Sequence, residues 1–294
     1  MNEGVGILEY RDDAFICDLV KELSDLKPEF ITLKDFPVAD DAGYRVIVDR
    51  LSFHYKYMRE YLKLAALGGC YVINNPFSSE VNNKLFEMKV CKDLGIPFPK
   101  TVMLPMMKED DDAPEHIFGP DWGRISGEIR FPAVLKPHDG FGWENVYEVE
   151  SVKEVEDIYD ALKFSKIMML QEKVKYTSYF RAYCIGKRDV MFVRYEPAPF
   201  CLGKYLHEGL EAIEGIKEKL TKWTIKLNER IDFDINSVEW CIDHAGNPFL
   251  IDAFNEVPDM EKKVFPREAY HWIIEHVAKL VREKHKTRER NKTP

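Results

Sequence analysis

The chain has 294 residues, a net charge of −9 and 45% hydrophobic residues, enough for two or three packed lobes and too apolar for extended disorder. The acidic balance argues against non-specific binding to nucleic acid or to an anionic membrane. No apolar run approaches the roughly 20 residues of a membrane helix, and no basic, apolar leader opens the sequence. Its six cysteines, Cys17, Cys70, Cys91, Cys184, Cys201 and Cys241, include no CxxC pair. They read as reduced thiols of a cytoplasmic protein, not as a disulfide frame or a zinc site.

In chain order, residues 4–9 form a short strand-like run, and 13–26 carry Phe15, Leu19, Val20, Leu23 and Leu26 on one helical stripe. Residues 44–49 and 70–74 read as strands, and 55–67 as a helix stopped by Gly68-Gly69. This alternation predicts a small open α/β sheet. Gly4-Val5-Gly6 lacks the third glycine and the helix start of a dinucleotide fingerprint. A helix capped at Ser78 or Ser79 is expected to continue through 83–94 to Gly95, with Lys84 near its start. After a strand at 102–104, residues 105–130 contain the charge run Lys108-Glu109-Asp110-Asp111-Asp112 and read as a long, partly mobile surface loop.

Residues 131–137 read as a strand ending at Lys136-Pro137, and 145–149 as the next strand. Between them, His138-Asp139-Gly140-Phe141-Gly142-Trp143 is a glycine-containing loop able to close its backbone over phosphates. Ser151 and Glu154 make a capping box for a helix over 151–164. A strand at 167–174 precedes a hairpin of 179–186 and 189–195, which turns at Gly186-Lys187-Arg188. Arg181 and Arg194 then lie nearly opposite one another; facing arginines repel unless an anion joins them, although separate salt bridges serve Arg194 equally well. Residues 208–228 read as a long helix, 267–284 as a terminal helix, and the basic stretch 284–292 as a frayed tail.

Residues 238–255 place two apolar runs around His244-Ala245-Gly246-Asn247 and read as a β-hairpin. With the turn centred between Ala245 and Gly246, Cys241 falls opposite Leu250 and Glu239 opposite Asp252. Opposed Cβ atoms lie about 5 Å apart. Two carboxylates so close repel unless a cation joins them. A hard cation such as Mg²⁺ accepts carboxylate oxygens and leaves its other positions to waters and phosphates; Asn255 could add an amide oxygen. The same pattern suits an ordinary amphipathic hairpin with its charges in water, and a one-residue change of register would turn Glu239 to the other face.

The ordered set of Ile73-Asn74-Asn75-Pro76, Lys84, Gly95-Ile96-Pro97, Lys136-Pro137 with its glycine loop, Leu170-Gln171-Glu172-Lys173-Val174, Phe180-Arg181 and the acidic hairpin resembles the ATP-grasp superfamily. This is the nucleotide-binding fold of carboxylate–amine ligases such as D-alanine–D-alanine ligase, glutathione synthetase and the RimK-type peptide ligases. The resemblance covers roughly residues 70–262. It implies an α/β (α+β) chain, with a small Rossmann-like N-terminal domain over 1–75 and an ATP-grasp region over 76–294. That region would divide into a small lid lobe (100–174) and a large catalytic lobe (175–294).

The resemblance further implies that Lys84, Lys136 and the Gly140–Gly142 loop bind the ATP phosphates. Glu172 and the backbone of Lys173 and Val174 would meet the adenine edge. Arg181 and Arg194 would be catalytic, touching phosphate or the reacting carboxylate, and Glu239, Asp252 and Asn255 would hold Mg²⁺ or Mn²⁺. The implied activity is ADP-forming ligation of a small-molecule carboxylate to an amine through an acyl phosphate. A small-molecule kinase and a non-catalytic nucleotide-binding protein are the alternatives, and a homo-oligomer is compatible with the sequence. Two departures stand out. The family's acid-x-Asn reads Asp252-Ala253-Phe254 here, with Asn255 one residue late unless a bulge re-aims it, and Tyr179 replaces the acid that many members carry two residues before the arginine.

Overall fold

The computed structural model describes residues 4–108, 116–140, 142–198, 204–287 and 289–293. The N-terminal lobe follows from alternating apolar runs: β1 (Gly4–Leu8), α1 (Ala14–Glu22), β2 (Glu29–Phe30), β3 (Tyr44–Asp49), α2 (Lys56–Leu67) and β4 (Tyr71–Ile73). The strands form a parallel sheet in the order β2-β1-β3-β4; α1 crosses from β1 to β2 and α2 from β3 to β4, while residues 31–43 join β2 to β3 without a helix. Asp13 caps α1, its carboxylate accepting the Ile16 N–H at 2.8 Å.

Next come α3 (Pro76–Val81) and α4 (Lys84–Leu94), where the sequence suggested one helix starting at Ser78 or Ser79. Asn75 caps the first and Asn83 the second, and the extended Asn82 between them breaks the run. Gly95, at φ +66°, ends α4 in the left-handed conformation open to glycine.

The small lobe comprises β5 (Thr101–Leu104), α5 (Trp122–Glu128), β6 (Ala133–Pro137), β7 (Tyr147–Val149), α6 (Val152–Leu162) and β8 (Met168–Glu172). Its antiparallel sheet runs β5-β8-β6-β7 over a separate core of Leu104, Leu135, Val155 and Leu170. Helix α5 corrects the expectation of a loop over 105–130. Asp121 caps it, and Ile125 and Ile129 enter the lid core. Glu109 to Asp112 of the charge run lie outside the described residues.

The large lobe comprises β9 (Tyr176–Ile185), β10 (Asp189–Glu196), β11 (Lys204–Leu206), α7 (Lys217–Ile231), β12 (Ile235–Asp243), β13 (Pro248–Asn255) and α8 (Arg267–Thr287). A 3₁₀ stretch over Leu210–Ile216 replaces the first part of the expected 208–228 helix. The central sheet runs β11-β10-β9-β12-β13, antiparallel throughout. One face, with Phe180, Val238 and Trp240, is covered by α4 and α7. The other, with Tyr183, Tyr195 and Cys241, shares a core with α8, α1 and the N-terminal sheet.

Asn74 joins the two lobes. Its amide nitrogen donates to the Ile235 and Glu256 carbonyls at 2.7 and 2.9 Å, and its oxygen accepts the Asp234 and Ile235 N–H groups at 2.8 and 2.7 Å. Nor does the C-terminal tail fray. Asn291 is buried against the edge strand β4, accepting the Val72 N–H at 2.7 Å and donating to the Val72 carbonyl at 2.8 Å. A side-chain amide here completes the ladder of an otherwise open edge. The described cysteines are all free, and all but Cys17 are buried; Cys201 lies outside the described residues.

Candidate active site

The β12–β13 hairpin closes on a tighter turn than expected. Asp243 N–H donates to the Asn247 carbonyl, the Asp243 carboxylate accepts the Ala245 and Asn247 N–H groups, and Gly246 takes φ +82°. Three residues therefore form the loop, and the pairs beside it shift by one: Cys241 faces Phe249 and Trp240 faces Leu250. The expected Cys241–Leu250 pair is not formed. An irregularity after Trp240 then restores Glu239 opposite Asp252, and a second brings Asn255 opposite Ser237. Ser237 and Glu239 are two apart on β12 and share a face. Their partners Asn255 and Asp252 therefore share that face too, although they are three apart on β13.

Charged side chains converge here. Lys84 donates to Asp252 Oδ2 at 2.8 Å. Arg181, directly across from Glu239 on β9, donates to Glu239 Oε1 through Nε at 3.0 Å and Nη2 at 2.8 Å, while the Tyr179 hydroxyl donates to Oε2. Tyr179 thus spends its hydroxyl on the hairpin acid. The Arg181 guanidinium lies over the Tyr195 ring, 4.0 Å from its centroid, and also donates to the Tyr205 hydroxyl. From the lid, the end of β6 reaches α4 through a 2.8 Å bond from the Lys84 N–H to the His138 carbonyl.

Lys136, on that same strand end, is 8% exposed and forms no ion pair among the described residues. Burial, reinforced by the nearby Lys84 charge, pushes its ammonium down to about 8. Glu87, one helical turn beyond Lys84, was not singled out in the sequence. It is 2% exposed, and burial together with repulsion from Asp252 pushes it up to about 8. Its Oε2 accepts the Ala253 N–H at 2.9 Å. The Lys-x-x-Glu spacing, with both residues on one side of a helix, was the available signal. Burial alone would raise Asp252 and lower Lys84, but their mutual attraction prevails and holds both in their charged forms.

Arg194 stands apart from this cluster. Arg181 pairs with Val193, and Arg194 pairs with Phe180, so the two arginines project from opposite faces. Arg194 lies over the Phe180 ring on the face covered by α7. The turn is the expected Gly186-Lys187-Arg188; with those three residues in the loop, the partner of Arg181 is Val193, and Arg194 lies one residue out of register on the other face.

Between the small lobe and the β12–β13 hairpin, a cleft of about 410 Å³ is lined by Phe98, Glu172, Lys173, Val174, Asp243 and Phe249. The Lys173 N–H is engaged by the Pro132 carbonyl at 3.2 Å, and Glu172 Oε1 accepts the Arg130 N–H at 3.0 Å. These bonds already use two groups expected to meet a base. In the glycine loop, a Cβ on Gly140 would come within 3.3 Å of the Pro137 ring, and Gly142 takes φ +63°. A side chain at Gly140 would thus crowd Pro137, and Gly142 holds a backbone conformation that favours glycine; Phe141 lies outside the described residues. The polar residues of the N-terminal lobe are committed to structure. Arg59 makes a bidentate pair with Glu256 at 2.9 and 3.1 Å, Asp49 holds the Leu51 and Ser52 N–H groups, and Arg50 reaches the Pro258 carbonyl.

No protein-family model matches the sequence, and no curated protein matches it. Solved structures do. A RimK domain ATP-grasp protein from Sphaerobacter thermophilus is 17% identical, with a TM-score of 0.67 and coverage of 94% of this chain and 98% of that one. A RiPP-associated ATP-grasp ligase from Chryseobacterium gregarium, solved with ADP and a leader and core peptide, is 15% identical at TM-score 0.65, covering 100% of both chains. D-alanine–D-alanine ligase from Bacillus anthracis, complexed with ATP, is 14% identical at TM-score 0.64, with 96% of each chain covered. Likeness at these identities is likeness of fold, and the fold of this chain is the ATP-grasp fold.

Proposed function

We propose that the chain is an ATP- and Mg²⁺-dependent ligase that activates a carboxylate as an acyl phosphate and passes the acyl group to an amine. The observation that carries this reading is Lys136: a buried ammonium without an ion-pair partner among the described residues, beside a second lysine and at the mouth of a glycine loop. An unpaired buried cation costs several kcal/mol, roughly, unless an anion offsets it. A nucleotide phosphate is such an anion. Similar folds solved with ADP and Mg, AMPPNP or ATP support the choice.

The donor set fits a magnesium ion. Glu239, Asp252 and Asn255 present hard oxygens on one face, and the Ser237 hydroxyl beside them is buried without a hydrogen-bond partner among the described residues. No preformed cluster of three or more His, Cys, Asp or Glu ligands exists among the described residues. The site is therefore of the kind completed by phosphate oxygens and water. Lys84 now neutralises Asp252, and Arg181 with Tyr179 engages both oxygens of Glu239. Magnesium, when bound there, would supply positive charge to the transferring phosphoryl group.

The chain's own residues do the rest. Lys136 and Lys84 draw charge from the triphosphate, and the cleft beside Glu172 and Val174 takes the base. Arg181, gripped by Glu239 and stacked on Tyr195, presents a fixed cation to the reacting carboxylate. A carboxylate oxygen attacks the γ-phosphorus as the bond to ADP breaks. The amine then attacks the acyl carbon, phosphate departs with the C–O electron pair, and the amine proton passes to solvent. Such transfer needs positioning and charge neutralisation more than a protein nucleophile. Arg194, on the far face, has no part in it. Several similar folds were solved with precursor peptides bound, so peptide carboxylates belong among the donors tried.

The test is incubation with ATP, Mg²⁺ and pooled amino acids, peptides and amines. ADP, free phosphate and a product of mass donor plus acceptor minus water are expected. A product heavier by a phosphoryl group, with no free phosphate, would make the chain a kinase. Failure to bind ATP in a direct titration would overturn the reading altogether.

A further inference from the structure

The segment Ala253–Asn255 is held by side chains in place of a regular ladder. Asn236, fully buried on β12, donates from its amide nitrogen to the Ala253 carbonyl at 2.8 Å and accepts the Asn255 N–H at 2.7 Å. Glu87, from α4, accepts the Ala253 N–H at 2.9 Å. Asn82, from the break between α3 and α4, donates to the Phe254 carbonyl at 3.2 Å. The Ala253 N–H and carbonyl, the Phe254 carbonyl and the Asn255 N–H thus find side-chain partners where the register is irregular.

The irregularity has a geometric result. With regular pairing, a residue three beyond Asp252 would face the opposite side of the sheet. With the extra residue accommodated, Asn255 sits opposite Ser237 and regains the face of Asp252 and Glu239. Ala253 and Phe254 can both face the core below α4 and α7 only because of the same irregularity.

We propose that Asn236 and Glu87 are positioning residues for the cation site: they clamp the bulge in β13 that returns Asn255 to the face of Asp252, so that the amide joins the two carboxylates around one divalent ion. The inference rests on the ligase reading for the ion and its nucleotide, but its own content is the clamp. Asn236 supplies a donor and an acceptor to two different bulge residues, which no other residue type of that size does in the same geometry. Glu87 supplies one acceptor, which a glutamine can replace. Groups that orient ligands from outside the coordination sphere typically change metal affinity by about 10–100-fold when removed.

The experiment uses the full chain, Mn²⁺ as the spectroscopic probe and ADP as the nucleotide, with bound Mn²⁺ read from the loss of the free-ion electron paramagnetic resonance signal. Metal-free ADP affinity is measured in parallel. Asn236→Ala is expected to weaken Mn²⁺ binding to the ADP complex by about tenfold or more and to leave metal-free ADP affinity unchanged. Glu87→Ala should weaken it as well, and Glu87→Gln should recover most of the loss. Equal losses in the two Glu87 variants would show that the charge acts rather than the clamp and would overturn the proposal. So would unchanged Mn²⁺ affinity in Asn236→Ala, or parallel losses of metal-dependent and metal-free binding. If Asn236→Ala does not fold, the Glu87 pair decides. Asp252→Ala separates the two levels: if it too leaves Mn²⁺ binding intact, the hairpin is no metal site and the ligase reading loses its cation, whereas a loss confined to Asp252→Ala removes the clamp alone.

Discussion

Strand β12 passes two buried ionic clusters, and they are built on different plans. At its start, Asp234 accepts the Tyr71 hydroxyl at 2.7 Å and lies 3.3 Å from Lys187, while Asp232 takes Lys187 at 2.5 Å and the Asn75 amide at 2.8 Å. Burial raises Asp234 nonetheless, and it lies wholly inside the protein. Near the middle of the strand, Glu239 pairs with Arg181 and Asp252 with Lys84, while Lys136 forms no ion pair among the described residues and is attracted only at longer range by Asp252, Glu87 and Glu239. The first cluster closes on itself and joins the lobes. The second carries a buried cation with no ion-pair partner among the described residues. Burial and charge are common to both, so neither distinguishes them; the buried lysine without a direct partner is what supports the ligase reading proposed above.

The largest effect that separates the clusters should come from Lys136→Met. Loss of one preorganised group that stabilises transferring charge typically costs about 100-fold or more in turnover, and the lost phosphate contact should weaken ADP binding in the same direction. The same change removes a buried, unpaired charge, so the nucleotide-free protein should melt roughly 2 °C higher. Calorimetry with and without ADP reads both quantities. A variant that is weaker in binding and no more stable would mean that Lys136 has a hidden partner, and the contrast between the clusters would collapse.

A smaller effect is expected from pH. Lys136 must be charged to hold phosphate, and burial holds its ammonium down to about 8. Nucleotide affinity should therefore be constant below that pH and fall by up to about tenfold per unit above it. The sign for stability is the reverse. Between about 8 and the ordinary lysine value the unfolded chain binds the proton that the folded chain has lost, so this residue's penalty is relieved as pH rises. Lys136→Arg should flatten the affinity profile measured with a fluorescent ADP analogue. A profile unchanged by that substitution would assign the titration to another group.

The smallest effect on nucleotide affinity belongs to the closed cluster's neighbourhood. Asn291→Ala leaves the Val72 N–H and carbonyl without their tail partner and should cost about 1–3 kcal/mol in urea unfolding, with nucleotide affinity unchanged. A change in affinity would show that the tail and the cleft communicate and that the two clusters are not separate.

Much of the frame was legible because it rests on local pattern. Residues 44–49 form a strand as the apolar run suggested, Gly95 ends its helix, and Ser151 caps α6 with its side chain on the Glu154 N–H. Glu239 does face Asp252, but by two compensating shifts that alternation alone does not contain: a three-residue loop and an added residue on β13. The β9–β10 hairpin turns where the sequence indicated, but a pair one residue out of register does not face: Arg181 meets Val193 and Arg194 points to the other side. Glu87 and Asn236 stayed hidden because their partners are backbone groups more than a dozen residues away. The tail was misread because a basic, polar stretch looks solvated until the edge strand that it covers is known.

The junction at Asn74 has a mechanical consequence. Four short bonds from one buried amide tie the N-terminal lobe to the start of β12 and to Glu256, just past β13. Rocking these lobes apart would break all four together, whereas the lid has its own core and meets α4 at the His138 carbonyl. The N-terminal and large lobes therefore behave as one block, held by a shared core and this amide, and any change of angle between lobes falls to the small lobe with its separate core.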